Sequence, residues 1–306
     1  TVAGECRRVP GAGWSGQRLA RQSSLIRGLL FSANVVVRPL YTAFMRVQGL
    51  QYDICWEDKA ASQARMDELL DAAPPDPGSL LVTPELGDVG FSRNLQAIMD
   101  EDSQAWAIRT ATRFRCWVQH GWAEPSADGR GWNTVTTVSP SGEVIDQYRK
   151  IVPFRPGHED RAYDPGDEIH IVDIDGILTC PFLCYDLRFP ELWRLASKAG
   201  AELFTIGASW PAIRSNHWKM LNISRAIENQ AWVLGVNRIG KDPFISYGGG
   251  SLVISPLGEV VAEAEIGPAI LSFEIDPEAG RQLRREFATL EDIRPGFLGA
   301  MKVVRH

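Results

Sequence analysis

The chain has 306 residues, of which 44% are hydrophobic and 23% charged, with a formal net charge of −6. That length and balance suit a soluble globular protein with a sizeable core, built as one large α/β domain or two small ones. The acidic balance argues against nucleic acid as a partner, and no apolar run is long enough to span a membrane.

The charge is unevenly spread. Residues 1–44 hold six arginines, no lysine and a single acid, Glu5, which leaves 26 basic against 37 acidic residues from position 45 onward. The segment 1–44 reads as an Arg-rich extension, disordered or lying upstream of a natural start at Met45. An organelle-targeting peptide is the alternative, but it lacks a cleavage pattern. Residues 45–306 contain no internal repeat and no linker, so they read as one domain. Five cysteines, at 6, 55, 116, 180 and 184, give no disulfide framework and point to a reducing, cytoplasmic setting. Cys180 and Cys184 have no second pair and no histidine close in sequence, so neither a metal nor a cofactor is implied.

From Met45 onward strand and helix alternate. Val47–Tyr52 reads as a strand, and 57–73 as a helix with Ala60, Ala64, Leu69 and Leu70 on one face, stopped by Pro74-Pro75. Ser79–Thr83 is a short strand that ends at Pro84-Glu85. A helix over 103–114 and a strand over 116–123 follow. Asn133–Val138 and Val144–Tyr148 flank the turn Ser139-Pro-Ser-Gly142, and Ile169–Asp173 and Ile177–Leu183 flank Ile174-Asp-Gly176. Pro190 and Glu191 open a helix to Lys198, because proline fits a first turn and an acid suits the positive end of the helix dipole. Strands at 202–206 and 231–237 bracket a helix over 216–230. A third hairpin turns at Pro256-Leu-Gly258, a strand at 270–275 closes the set, and 277–286 is a late helix. The segment 240–248 reads as a loop. Strands apolar on both faces imply covered sheets, and two such sheets with helices outside make a four-layer α-β-β-α sandwich.

Three polar residues end apolar strands: Glu85 after Leu80–Pro84, Lys150 after Val144–Arg149, and Cys184 after Ile177–Leu183. Ligands collect at such strand ends in α/β sheets. A solvated loop charge is the alternative for either acid or base alone, and an inert buried thiol is the alternative for Cys184. Three complementary groups at three strand ends favour chemistry. Free backbone N–H groups at the turn after Cys184 can lower its thiol pKa and hold an oxyanion. A thiolate attacking an amide needs a base, for which Glu85 serves, and a cation for the developing oxyanion, for which Lys150 serves.

Pro84-Glu85, Tyr148-Arg-Lys150 and Cys184-Tyr-Asp-Leu-Arg-Phe-Pro-Glu191 together resemble the nitrilase superfamily of carbon–nitrogen hydrolases, whose catalytic residues run Glu, Lys, Cys. The resemblance spans most of residues 45–275. It implies the α-β-β-α sandwich, homodimers, and a second glutamate in the loop after the lysine, for which Glu159 in Pro156-Gly-His-Glu-Asp160 is the best match. Cys184–Pro190, Ser209-Trp-Pro-Ala-Ile-Arg-Ser215, His217-Trp218 and Ser224–Trp232 are most similar to the ω-amidase branch. That branch implies hydrolysis of the terminal amide of 2-oxoglutaramate and 2-oxosuccinamate to the oxo acid and ammonia. Gly248-Gly-Gly250 departs from the pattern, since related sequences often carry a charge there.

A substrate with a carboxylate opposite its amide needs a cation in the pocket. Arg188 can supply a bidentate guanidinium, with Arg214 as a second candidate. An ion pair of Arg188 with Asp186 or Glu191 is the structural alternative. Tyr185 and Trp210 are expected as pocket walls. Arg225, Glu228 and Asn229 are expected to be structural. Competing activities are a deaminated-glutathione amidase, an N-carbamoyl or aliphatic amide hydrolase, and a catalytically silent binding scaffold.

Overall fold

The computed structural model describes residues 44–294 apart from Asp128, together with Gly296, Gly299 and residues 302–306. The expected extension therefore lies outside the described residues except for Phe44. The first half runs β1 Met45–Gln51, α1 Lys59–Ala72, β2 Leu80–Val82, α2 Leu95–Ile98, α3 Asp102–Phe114, β3 Trp117–Pro125, β4 Gly131–Val138 and β5 Val144–Arg149. Next come β6 Tyr163–Asp164, β7 Glu168–Ile174, β8 Ile177–Leu183, α4 Pro190–Lys198, β9 Leu203–Ala208, α5 Ser215–Asn229 and β10 Trp232–Asn237. The chain closes with β11 Ile239–Lys241, β12 Ser246–Gly248, β13 Leu252–Ile254, β14 Val260–Glu263, β15 Ala269–Ile275, α6 Pro277–Glu286 and β16 Lys302–Arg305.

Among the described residues the strands form two seven-stranded sheets and one two-stranded ribbon. One sheet has the order β15-β1-β2-β3-β4-β5, with β6 beside β4; the other has the order β14-β13-β10-β9-β8-β7-β16. β1, β2 and β3 are parallel neighbours, as are β8, β9 and β10; most other pairings are antiparallel, while β6 joins β4 and β16 joins β7 in parallel.

Period-two alternation sends one set of side chains between the sheets and the other toward helices. Val47, Leu80 and Val82 of the first sheet meet Leu203, Leu234 and Val236 of the second. On its outer face the first sheet packs Leu50, Leu81 and Val118 against Met66 and Leu70 of α1 and Trp106 of α3. The second sheet packs Phe182, Phe204 and Val233 against Trp193 of α4 and Trp218 and Ala226 of α5. The layers are α-β-β-α. Each such side chain removed from water contributes about 1.5–3 kcal/mol. Some polar groups between the sheets pair with one another: Thr205 Oγ1 donates to Gln119 Oε1 at 2.6 Å, and Ser251 Oγ donates to Gln51 Oε1 at 2.9 Å.

The segment expected as a loop at 240–248 is instead the β11–β12 ribbon. Its strands are three residues each and rich in glycine, so they carry no period that a sequence reading can catch. Arg225 holds the Leu187 carbonyl and pairs with Glu228 at 2.8 Å, which is a structural role.

Candidate active site

Glu85 leaves β2 through Pro84 and is fully buried. Its Oε1 accepts from Lys150 Nζ at 2.6 Å and Asn133 Nδ2 at 2.9 Å, and its Oε2 accepts from the Ser209 N–H at 3.1 Å. Two glycines let the chain run this close. A Cβ at Gly121 would lie 2.6 Å from the Pro84 carbonyl oxygen, and one at Gly207 would lie 2.7 Å from that of Thr83. Lys150 follows β5 directly and is 1% exposed. Glu159 opens a short 3₁₀ turn, Glu159–Arg161, and is likewise buried. Its two oxygens accept from Lys150 Nζ at 2.8 and 3.0 Å, and Oε1 also accepts from Asn133 Nδ2 at 2.7 Å. The Phe154 N–H donates to its Oε2.

Cys184 follows β8 and begins the 3₁₀ turn Cys184–Arg188. Its φ is +39°, a left-handed conformation that costs a non-glycine residue about 1–3 kcal/mol. Asp186 holds the turn. Its carboxylate accepts from the Leu183 N–H at 3.1 Å, the Val152 N–H at 3.0 Å and the Tyr148 hydroxyl at 2.7 Å. One buried acid thus ties the segment after β5, which carries Lys150, to the turn that carries Cys184. Asp186 is engaged in this way and not in an ion pair with Arg188. Cys180, four residues back, is buried in the layer between the second sheet and its helices.

Burial opposes the ammonium of Lys150, but Glu159 and Glu85 together outweigh it and hold the group well above its usual range. Burial pushes the Glu159 carboxyl up, against the pull of Lys150, with Glu85 adding to the rise. Burial also pushes the Cys184 thiol well up and Glu85 pushes it further; Lys150 and the Ser209 N–H offset this only in part. The expectation of a lowered thiol pKa at the strand-to-turn junction is therefore overturned. The resting group is a thiol, and it needs a base at the moment of attack. Two carboxylates against one ammonium leave the cluster able to take that proton.

Glu85 and Cys184 open onto a small pocket. Glu85, Cys184 and Ser209 line it together with Tyr185, Trp210, Arg188 and Arg214. All the residues expected at the site from sequence border it or sit directly behind it. The Arg188 guanidinium lies 4.8 Å from the Trp210 ring, and that of Arg214 lies 5.8 Å from the Phe154 ring. Tyr185 packs edge-on against Phe154 at 4.9 Å. Sequence reasoning missed Asn133, Ser209, Phe91, Phe154 and Tyr247. Asn133 carried a signal, since asparagine is depleted in strands and this one opens a run of Thr and Val. Tyr247 carried none, because it belongs to the ribbon.

The sandwich and the buried Glu–Lys–Glu cluster beside a strained cysteine can be set against known proteins. The carbon–nitrogen hydrolase family profile matches residues 46–285. The chain belongs to this family. The hydrolase is 33% identical over 252 residues to a 2-oxoglutaramate amidase of Bacillus subtilis, an alignment covering 81% of this chain and 97% of the relative. It is also 33% identical to omega-amidase YafV of Yersinia enterocolitica, covering 81% and 96% of the two chains. Among solved structures it is similar to XC1258 of Xanthomonas campestris, a CN-hydrolase superfamily protein with an arsenic adduct in its active site. That match has a TM-score of 0.78 and 29% identity, over 84% of this chain and all of the other. Saccharomyces cerevisiae Nit3, a nitrilase superfamily member, matches with a TM-score of 0.70 and 25% identity, over 80% and 94% of the chains. These neighbours bear out the expected sandwich.

Proposed function

We propose that this hydrolase releases the terminal amide nitrogen of a small dicarboxylate monoamide, 2-oxoglutaramate or 2-oxosuccinamate, as ammonia through a thioester on Cys184. The observation that carries the reading is the convergence of Glu85, Lys150 and Glu159 on one buried cluster bordering the pocket of Cys184. Glu85 takes the thiol proton as sulfur bonds to the amide carbon. Negative charge then moves to the carbonyl oxygen, where Lys150 and the backbone N–H of Tyr185 meet it. Glu85 returns the proton to nitrogen, the C–N bond breaks and ammonia leaves. Water, deprotonated by Glu85, attacks the thioester, the C–S bond breaks, and the thiolate regains its proton. Glu159 and Asn133 position Lys150 and Glu85.

The substrate follows from two supports. The relatives named above are a 2-oxoglutaramate amidase and an ω-amidase. Arg188 and Arg214 bring two guanidiniums to the pocket that can meet a carboxylate. The test measures ammonia release from 2-oxoglutaramate, 2-oxosuccinamate, deaminated glutathione, an N-carbamoyl amino acid and butyramide, in wild type and Cys184→Ala. Equal rates in the two proteins would remove the catalyst. Absence of a preference for the oxo-acid amides would overturn the substrate assignment. A mass adduct on Cys184 reports nucleophile and substrate together.

The resemblance also underlies the homodimer, which light scattering checks. The cytoplasmic location rests on cysteine usage and is checked by cell fractionation. The dispensable segment 1–44 is checked by deletion, and an inactive deletion variant would refute it.

A further inference from the structure

Near Tyr148, three strands bring together a second set of polar side chains that the proposed reaction does not use. Asp146 comes from β5 in the first sheet and His170 from β7 in the second, and His306 follows β16, the strand added beside β7. One ligating atom from each lies within 4.8 Å of the others. His170 Nδ1 is 2.5 Å and His306 Nε2 is 3.3 Å from the same oxygen, Asp146 Oδ1. Asp146 is 4% exposed, and its other oxygen, Oδ2, has no hydrogen-bond partner among the described residues. A buried carboxylate oxygen left without a donor is costly, so it marks a place where something else binds.

The His306 N–H donates to Ile171 O at 3.0 Å, and the Asp173 N–H donates to His306 O at 3.1 Å, which fixes that residue in the ladder. The two imidazole rings stack with centroids 5.6 Å apart. On the same face of β7, Glu168 Oε2 lies 3.8 Å from His170 Nε2. Sequence spacing could not show this set, because Asp146, His170 and His306 are far apart in the chain and none is a cysteine.

The geometry points to a binding site for a divalent transition-metal ion of the zinc class, held by Asp146, His170 and His306, that pins β16 to the seam between the two sheets. Two imidazole nitrogens and a carboxylate are a borderline donor set, suited to Zn²⁺ or Co²⁺ and poorly suited to Mg²⁺ or Ca²⁺, which favour all-oxygen sites. Tetrahedral metal–nitrogen and metal–oxygen bonds of about 2.0–2.2 Å need ligand atoms a little over 3 Å apart; the His306–Asp146 pair already has that spacing, and the His170–Asp146 pair must widen to reach it. Water completes the coordination. The Tyr148 ring lies edge-on to His170 at 6.0 Å and fixes it from behind. The ion is structural in this position, since Cys184 and Lys150 do not reach it.

The test uses the full chain carrying Cys184→Ala, so that the pocket thiol does not compete for metal. After treatment with EDTA and desalting, the protein is titrated calorimetrically with ZnCl₂, and Co²⁺ absorption reports the geometry. The expected result is a single ion per chain, with visible bands of a nitrogen–oxygen tetrahedral site and a raised melting temperature. Affinity should fall about tenfold or more in Asp146→Asn and in His306→Ala. Hydrogen exchange across 302–306 should slow when Zn²⁺ is added to the parent and should not slow in His306→Ala. Absence of binding, or binding that both variants retain in full, overturns the proposal.

Discussion

Replacing Glu159 by glutamine removes one charge with almost no change of shape. Glu159 Oε2 accepts from Lys150 at 2.8 Å and from the Phe154 N–H, while Oε1 accepts from Asn133 at 2.7 Å. The amide in Glu159→Gln can keep an acceptor toward Asn133 only by turning its NH₂ toward two donors. Lys150 is 1% exposed and cannot recover the loss in water. Breaking a buried pair from one side costs about 3–5 kcal/mol, and a lost charge-assisted hydrogen bond about 1.5–3 kcal/mol. We expect the folded state to lose about 3 kcal/mol, the value at which those two ranges meet. Lys150 then leans wholly on Glu85, which displaces the ammonium from the oxyanion. The loss should fall on kcat, by about a hundred- to a thousandfold, with KM little changed. Ammonia release from 2-oxoglutaramate measures the first effect and denaturant unfolding the second. A variant with reduced stability but kcat within about threefold of wild type would refute the positioning role and leave Glu159 as scaffold alone.

Further outcomes are expected at three sites. Arg188→Gln should raise KM for 2-oxoglutaramate by about tenfold, the low end for a charge-assisted contact because Arg188 is partly exposed, and leave butyramide turnover unchanged; equal effects on both amides would argue against carboxylate recognition. Burial lifts the Asp186 carboxyl from 3.8 to about 7, against the opposing pull of Lys150 and the donors from Tyr148, Val152 and Leu183. The folded state then keeps a proton that the unfolded chain gives up, so this group's contribution to stability falls as pH rises from about 4 to about 7 and levels off above. Asp186→Asn, neutral throughout, should gain on the wild type across that window in denaturant midpoints; a constant difference would contradict the raised value. Gly207→Ala places a Cβ 2.7 Å from the Thr83 carbonyl oxygen and should cost about 1–3 kcal/mol while shifting Glu85, so both melting temperature and kcat should drop. A wild-type melting curve would show that the sheets can part there without penalty.

The positions of Glu85, Lys150 and Cys184 were legible because each follows the end of a strand. Glu85 and Cys184 follow largely apolar strands, while Lys150 follows the mixed strand Val144–Arg149, and a buried charge at such an end needs partners. The layers were legible for a related reason, since Leu80, Leu81 and Val82 leave no polar face to a strand that must be covered twice. What escaped was whatever depends on two distant segments meeting. Asn133 touches Glu85 and Glu159 only after β4 pairs with β5. The local argument about Cys184 gave the wrong sign for its acidity, because backbone N–H groups near a turn are a weaker influence than full burial beside Glu85. Tyr247 reaches the pocket on a ribbon too short to announce itself.

The charges around the pocket explain more than the chemical step. Its buried end holds two carboxylates against one ammonium, and its lining adds the guanidiniums of Arg188 and Arg214. In the proposed reaction a monoamide enters with its carboxylate toward the arginines and its neutral amide toward Cys184, since the reverse pose would set a carboxylate against Glu85. Hydrolysis then creates a new carboxylate at the buried end. The product is repelled where the substrate was tolerated, by the same Glu85 that served as base. One arrangement of charge therefore sets the orientation of entry and favours release. It does so only for substrates whose reacting end is uncharged before the reaction and anionic after it.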